Sequence, residues 1–387
     1  MTLTSPYKSR SLAQSLAVQT QVHLAGTVGR LLKQIRDLER VAPLFVEARL
    51  VRSVDRPKPL TLNVAGISTR QATRRVAGGF LYAAAGARTD ISIKDNVVAT
   101  RGEDSVCEID DIDYEDQSKR FQLIGIRQAY ELAERALMSG EPFDMLLFDC
   151  PLLLKRSIVA PEEGGRYAAL RQRYQQTIDA ISLFWQRHHD KLFPWNRQGP
   201  ILAGLASERF GAIVHVAQQD LRTEEGRRHV LHSEDLAAAP LAQLIEAQAA
   251  ISGVGERRFI NGILGSFTRT SGFRMNTQTP RMEPHDVAGA GVVGLHYCAG
   301  PVTSPRLVQL IGDAPAWRCT DLDELTGRLM ALTVAGGKQA WPMPIQLAAR
   351  ELASLDGFIE HYRAGVHAEM KQRSIEDVWL SDMDDLL

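Results

Sequence analysis

The segment FDMLLFDCPLLL, residues 143–154, constrains the fold more than any other stretch of this chain. A nearly continuous apolar run of this length marks a central strand buried on both faces, because a strand with one wet face alternates polar and apolar residues. Such a strand needs helices on both sides of its sheet, so the predicted class is α/β. Asp149 interrupts the run at its end. A carboxylate there is costly to bury unless it is paired, hydrogen-bonded or on a metal. Asp149 is therefore the leading candidate for chemistry, with a plain strand terminator as the alternative.

Upstream, Leu12, Leu16, Val28, Leu31, Leu32, Ile35 and Leu38 recur at helical steps, with Arg30, Lys33, Arg36 and Asp37 between them. This predicts one long helix over 10–45, suited to core or dimer packing. The prolines of RPKPLTLNVAGIS mark a boundary. Residues 1–55 are expected as a helical arm, 56–370 as the main domain and 371–387 as an acidic tail. Leu60, Leu62, Val64 and Ile67 predict a first strand ending near Gly66. GGFLYAAAGA predicts a second and DISIKDNVVATRG a third, an antiparallel meander, with EIDDIDYED as a loop.

FQLIGIRQAYELAERALMSG predicts a helix stopped at Gly140, leading into the strand that ends at Asp149. A long helix over 165–190, a strand at PILAGLA and a helix over 234–250 follow. Residues 253–286, rich in Gly, Arg, Thr and Asn, are expected as a long loop or irregular insertion. VVGLHYCAG and SPRLVQLIG predict two more strands, and helices over 321–335 and 343–370 close the domain. Three strands, a helix, a buried strand and then alternating helix and strand is the order of a ribonuclease-H-like mixed sheet flanked by helices. Acids at the central strand ends of that fold hold divalent metals.

Glu131 lies on the helix before the buried strand, and packing of that helix on the sheet would let it converge with Asp149; Glu134 is the fallback, and a solvated helix face the bland alternative. Two such oxygen donors suit Mg²⁺ or Mn²⁺, and paired ions clamp the attacking and leaving oxygens in phosphodiester hydrolysis. A further carboxylate is expected on the first strand, yet Asn63-Val64-Ala65-Gly66-Ile67-Ser68 contains none. Arg70, Arg74 and Arg75 suit bidentate phosphate contact, or simply a solvated loop. Arg257, Arg258, Arg269, Arg274 and Arg281, interleaved with Phe259, Phe267 and Phe273, suit a single-strand grip by charge and stacking.

Other signals exclude more than they propose. Formal net charge is -1, so any nucleic-acid site has to be a local basic patch. Cys107, Cys150, Cys298 and Cys319 have neither zinc-site nor disulfide spacing and suit a reducing, cytoplasmic setting. No signal-peptide or membrane-span run occurs. GAGVVG at 289–294 matches a dinucleotide-site pattern, but it follows a polar loop and precedes a strand, the reverse of what that site needs. His188 and His189 are adjacent on a helix and point to different faces. The chain has neither a P-loop nor a G-x-S-x-G elbow.

TLNVAGISTRQATRRVAGGFLYAAAGARTD, IRQAYELAERAL with LLFDCPLL, PILAGLASER, LHYCAG and AWPMPIQLAARELA resemble, in order and spacing, the motifs of the NurA nucleases over about residues 55–355. The resemblance implies a metal-dependent DNA nuclease acting on single strands and duplex ends. It also implies a homodimer docked on a hexameric HerA-type ATPase, for DNA end processing or phage defence, with Mn²⁺ or Mg²⁺ as cofactor. Asp149 matches a metal-binding acid, Glu131 the helical acid and Tyr297 a tyrosine near the site. Ala65 stands where the family's first catalytic Asp belongs, Ala349 where many members have His, and Cys150 where a glycine follows the second Asp. The loss at 65 implies impaired cutting. Either that residue has been replaced in a catalytic protein, or the chain is a naturally degenerate relative serving as an adaptor that docks a HerA-type ATPase and guides DNA.

Overall fold

The computed structural model describes residues 11–55, 60–76, 79–95, 97–154, 158, 167–192, 194, 199–206, 214, 217–218, 220–275, 291–337 and 341–373. The apolar run around Leu146 does form a central strand. β5 (Met145–Phe148) is buried at every position and lies parallel to β2 (Leu62–Val76) on one side and β6 (Ile201–Ala206) on the other. β2, β3 (Gly79–Lys94) and β4 (Val97–Asp113) make the expected antiparallel meander.

The strands are longer than the sequence suggests. DISIKDNVVATRG is not one strand: it spans the hairpin, turning at Asp95, whose φ is +50°. The acidic EIDDIDYED stretch is not a loop, because its first six residues continue β4. Its polar character reflects an outer strand that meets water, with Glu108 and Asp113 engaged by Arg127 and Arg120. Arg70, Arg74 and Arg75 lie within β2 rather than between strands.

The remaining strands are β1 (Val51–Ser53), β7 (Thr268–Thr270), β8 (Phe273–Arg274), β9 (Val292–Cys298) and β10 (Arg306–Ile311). They extend the sheet in the order β1-β7-β9-β10-β6-β5-β2-β3-β4, with β8 also on β9. β9 begins within the GAGVVG match, the strand context that argued against a dinucleotide site. The 253–286 region contains β7, β8 and a short helix rather than irregular chain throughout; its Arg281 lies outside the described residues.

Helices α1 (Leu12–Glu47), α2 (Gln117–Met138), α3 (Ala168–Leu192), α4 (Ala238–Ile251), α5 (Glu256–Ile263), α6 (Cys319–Ala335), α7 (Met343–Glu351) and α8 (Leu355–Gln372) pack around this sheet. α2 and α3 cover one face through Ile126, Ala129, Tyr130, Phe184 and Trp185, against Ala65, Ile67, Leu146 and Phe148. α6 and α7 cover the other through Leu325, Leu329 and Ile345, against Val64, Leu147 and Leu205.

α1 starts at a Ser11–Gln14 capping box. Its C-terminal part is built into the body: Leu38, Val41 and Phe45 are buried, and Phe45 meets Phe259 edge-on at 5.6 Å. β1 then joins the sheet beside β7. The N-terminal part of α1 leaves Leu12, Leu16, Val22, Leu24, Val28 and Leu32 exposed. The acidic tail from 374 onward lies outside the described residues. Among the described residues no helix is long and apolar enough to cross a membrane.

Candidate active site

Asp149 is the first residue beyond β5. Its backbone N–H donates to the Ile67 carbonyl at 3.0 Å and extends the parallel pairing by one step. Its carboxylate oxygen Oδ2 accepts from the Ser68 hydroxyl at 2.5 Å and from the Thr69 backbone N–H at 3.1 Å. Burial pushes the carboxyl up to about 6, against the pull of those two hydrogen bonds, which favour the charged form. The group therefore exchanges its proton close to neutral pH, where a general acid or base works best.

Strand parity decides what can join it. Successive side chains of a strand point to opposite faces. On β5, Leu146 and Phe148 face α2 and α3, whereas Leu147 faces α6 and α7. Asp149, two residues beyond Leu147, shares that second face, as do Val64, Gly66 and Ser68 of β2. Ala65 points the other way. Its side chain is fully buried in the α2 cluster, and its neighbour in register on β3 is Asp90. The structure thus brings Ser68, not Ala65, to Asp149.

Glu131 does not join Asp149 either. It is about half exposed on α2 and pairs with Arg135 at 2.7 Å. Arg135 reaches Asp104 at 3.3 Å, Asp104 reaches Arg88 at 3.6 Å, and Arg88 pairs with Asp90 at 3.0 Å. Glu131 and Ala65 therefore border a separate network of alternating charge between α2, β3 and β4. Desolvation pushes the Asp90 carboxyl above its ordinary range there, with Arg88 opposing the shift. Glu134 pairs with Arg187 at 2.5 Å and lies 3.9 Å from His188. His188 is buried and His189 exposed, on different faces as their spacing required. Tyr297 is buried in the α6 core with its hydroxyl 3.0 Å from that of Thr333.

The expected phosphate-binding arginines are mostly committed elsewhere. Arg70 pairs with Asp356 at 2.6 Å and Arg74 with Glu360, both on α8. Arg75 lies over the Tyr114 ring at 5.8 Å. Arg269 is fully buried, bound to Asp323 at 2.6 Å and to the Thr270 and Cys319 carbonyls. Arg274 pairs with Asp313 at 2.6 Å. Arg257 and Arg258 are exposed on α5, while Phe259 and Phe273 are core residues rather than stacking platforms. Ala349 is exposed on α7.

The contribution of Ser68 and Thr69 was missing from the sequence expectations. The alternation Val64-Gly66-Ser68, set against an apolar strand ending in Asp, carried the signal. A pair of divalent ions needs several convergent carboxylates or imidazoles. Among the described residues no three His, Cys, Asp or Glu side chains converge, and Asp149 is met by a hydroxyl and an amide. These residues do not fit a two-ion centre.

No family model matches the sequence, and no curated protein matches it. Solved structures do. The NurA nuclease from Sulfolobus solfataricus is 12% identical, with a TM-score of 0.58 over 93% of this chain and 98% of that one. A NurA bound to dAMP and manganese is 11% identical, with a TM-score of 0.41 over 88% and 93% of the two chains. The catalytic domain of human Endonuclease V is 15% identical, with a TM-score of 0.34 over 86% and 98%.

The fold is ribonuclease-H-like, a mixed sheet with an antiparallel meander leading into parallel central strands. More narrowly, the Sulfolobus NurA structure matches over nearly the whole length of both chains, so the fold is that of the NurA structures.

Proposed function

We propose that this chain is a NurA-type DNA-processing protein whose own phosphodiester-cutting chemistry is impaired. It works at single strands and duplex ends as a homodimer with a HerA-type hexameric ATPase. The supporting observation is the pairing at the end of β5: the carboxylate of Asp149 closes the central strand, and what faces it, at 2.5 Å, is the Ser68 hydroxyl rather than a second carboxylate. The exposed apolar side of α1 supports an assembly role.

The test is incubation of labelled single-stranded and blunt duplex DNA with the chain in Mn²⁺ or Mg²⁺, beside Asp149→Asn and Ser68→Asp. The unmodified chain is expected to bind DNA and to cut no faster than Asp149→Asn. Ser68→Asp is expected to be destabilised without metal, through repulsion with Asp149, and to regain melting temperature when Mn²⁺ is added. Efficient cutting by the unmodified chain that Asp149→Asn abolishes would replace this proposal with that of a fully active nuclease. Absence of DNA binding would end both.

A further inference from the structure

The sheet ends very differently on its two sides. One edge is β1, three residues long. The other is β4, seventeen residues long and last in the strand order, so among the described residues nothing pairs with its outer side. At ~3.3 Å per residue it presents a row of unpaired backbone donors and acceptors roughly 55 Å long. Open edges of this kind are usually blunted by proline, by charged side chains, by a β-bulge or by brevity. β4 contains no proline and no lysine; it carries one register shift opposite Asp90/Ile91 and a run of acids, so a strand added there has to be basic.

Its side chains specify what would fit. Val97–Asp113 carries six acids and one arginine. Asp104, Glu108 and Asp113 are engaged by arginines of α2 and β3. Glu103, Asp110 and Asp111 are exposed and make no ion pair among the described residues. Exposed Val97, Val98 and Ile109 add apolar contact surface along the same strand. A second copy of β4 would bring like charges together across the new ladder, which is unfavourable. A nucleic-acid backbone would be repelled in the same way.

We propose that the outer edge of β4 accepts an extended, basic segment of a partner protein as an added antiparallel strand. Backbone hydrogen bonds supply the affinity of such a pairing, and alternate side chains supply the choice of partner. Lys or Arg opposite Glu103 and Asp111, with apolar residues beside Ile109, gives the complementary pattern. This inference is independent of the DNA reading above.

The probe is a short synthetic peptide alternating Lys and Val, tested by fluorescence anisotropy and by backbone hydrogen exchange on the full chain. Binding with slowed exchange confined to β4 is expected. Charge reversal by Glu103→Lys with Asp111→Lys is expected to weaken binding about tenfold. A peptide of the same sequence, N-methylated on alternate amides along one edge, keeps the charge but cannot form the ladder, and it is expected not to bind. Equal binding of the methylated peptide, equal binding of a Glu–Val peptide, or no binding of the Lys–Val peptide would each overturn the proposal.

Discussion

The two faces of the β2–β5 strand pair share one backbone and are both largely apolar, but only one of them ends in a polar pair. Towards α2, Ala65, Ile67, Leu146 and Phe148 form a dry, close-packed layer. Towards α7, the same strands offer Gly66 and Ser68, then Asp149 at the strand end. Asp149 and Ala65 are near each other along the sheet, yet alternation separates their side chains by its full thickness. Proximity in a motif is thus a weaker guide to a shared site than the parity of the positions within their strands.

The sharpest way to break this contrast is Ala65→Asp. If position 65 belonged to the Asp149 site, the new carboxylate would find it. On the face observed here it enters the apolar layer beside Asp90. Burying it there is expected to cost about 3 kcal/mol or more, measured by urea unfolding against the unmodified chain. Unchanged stability together with new Mn²⁺ binding would show that residue 65 faces Asp149 after all.

The second test uses pH. The Asp149 carboxyl sits at about 6 in the folded protein, above the ~3.9 of an unfolded chain. The folded state therefore holds the proton more tightly. The resulting stabilisation is complete below about pH 4 and disappears as pH rises through about 6. Relative to Asp149→Asn, which cannot titrate there, the unmodified chain is expected to lose up to about 3 kcal/mol across that window. Parallel stability profiles of the two proteins would place the carboxyl in ordinary solvent.

The smallest effect is expected from Glu131→Gln. Its partner Arg135 keeps Asp104, and the lost pair is solvent-screened. The change in unfolding free energy should stay under about 0.5 kcal/mol, with no change in any property tied to Asp149. A large loss of DNA binding or of Mn²⁺ response in this variant would reconnect Glu131 to the other face.

Where burial dominates, the sequence was readable. The run through Leu146 and Leu147 announced a central strand, and helical spacing announced α1 and α2. The acid at 149 was conspicuous because nothing near it in sequence neutralises it. The outer strand was illegible for the opposite reason: β4 meets water, so Glu108–Asp113 lacks the apolar alternation that reveals a strand. The arginines misled because their partners are distant. Asp356 and Glu360 sit on α8, far along the chain from Arg70 and Arg74, and no local pattern shows that those charges are already neutralised. Ser68 is silent in the sequence because a hydroxyl has no signature until register places it against Asp149.

Gly66 sits so tightly under α7 that a Cβ there would come within 2.3 Å of the Pro344 carbonyl carbon. During synthesis the central strand leaves the ribosome long before that helix exists, so the nascent sheet must wait with one flank uncovered. Chaperone dependence should therefore be set by the C-terminal end of the message, and a chain stalled before residue 343 should emerge as a substrate for quality control rather than as a smaller working protein.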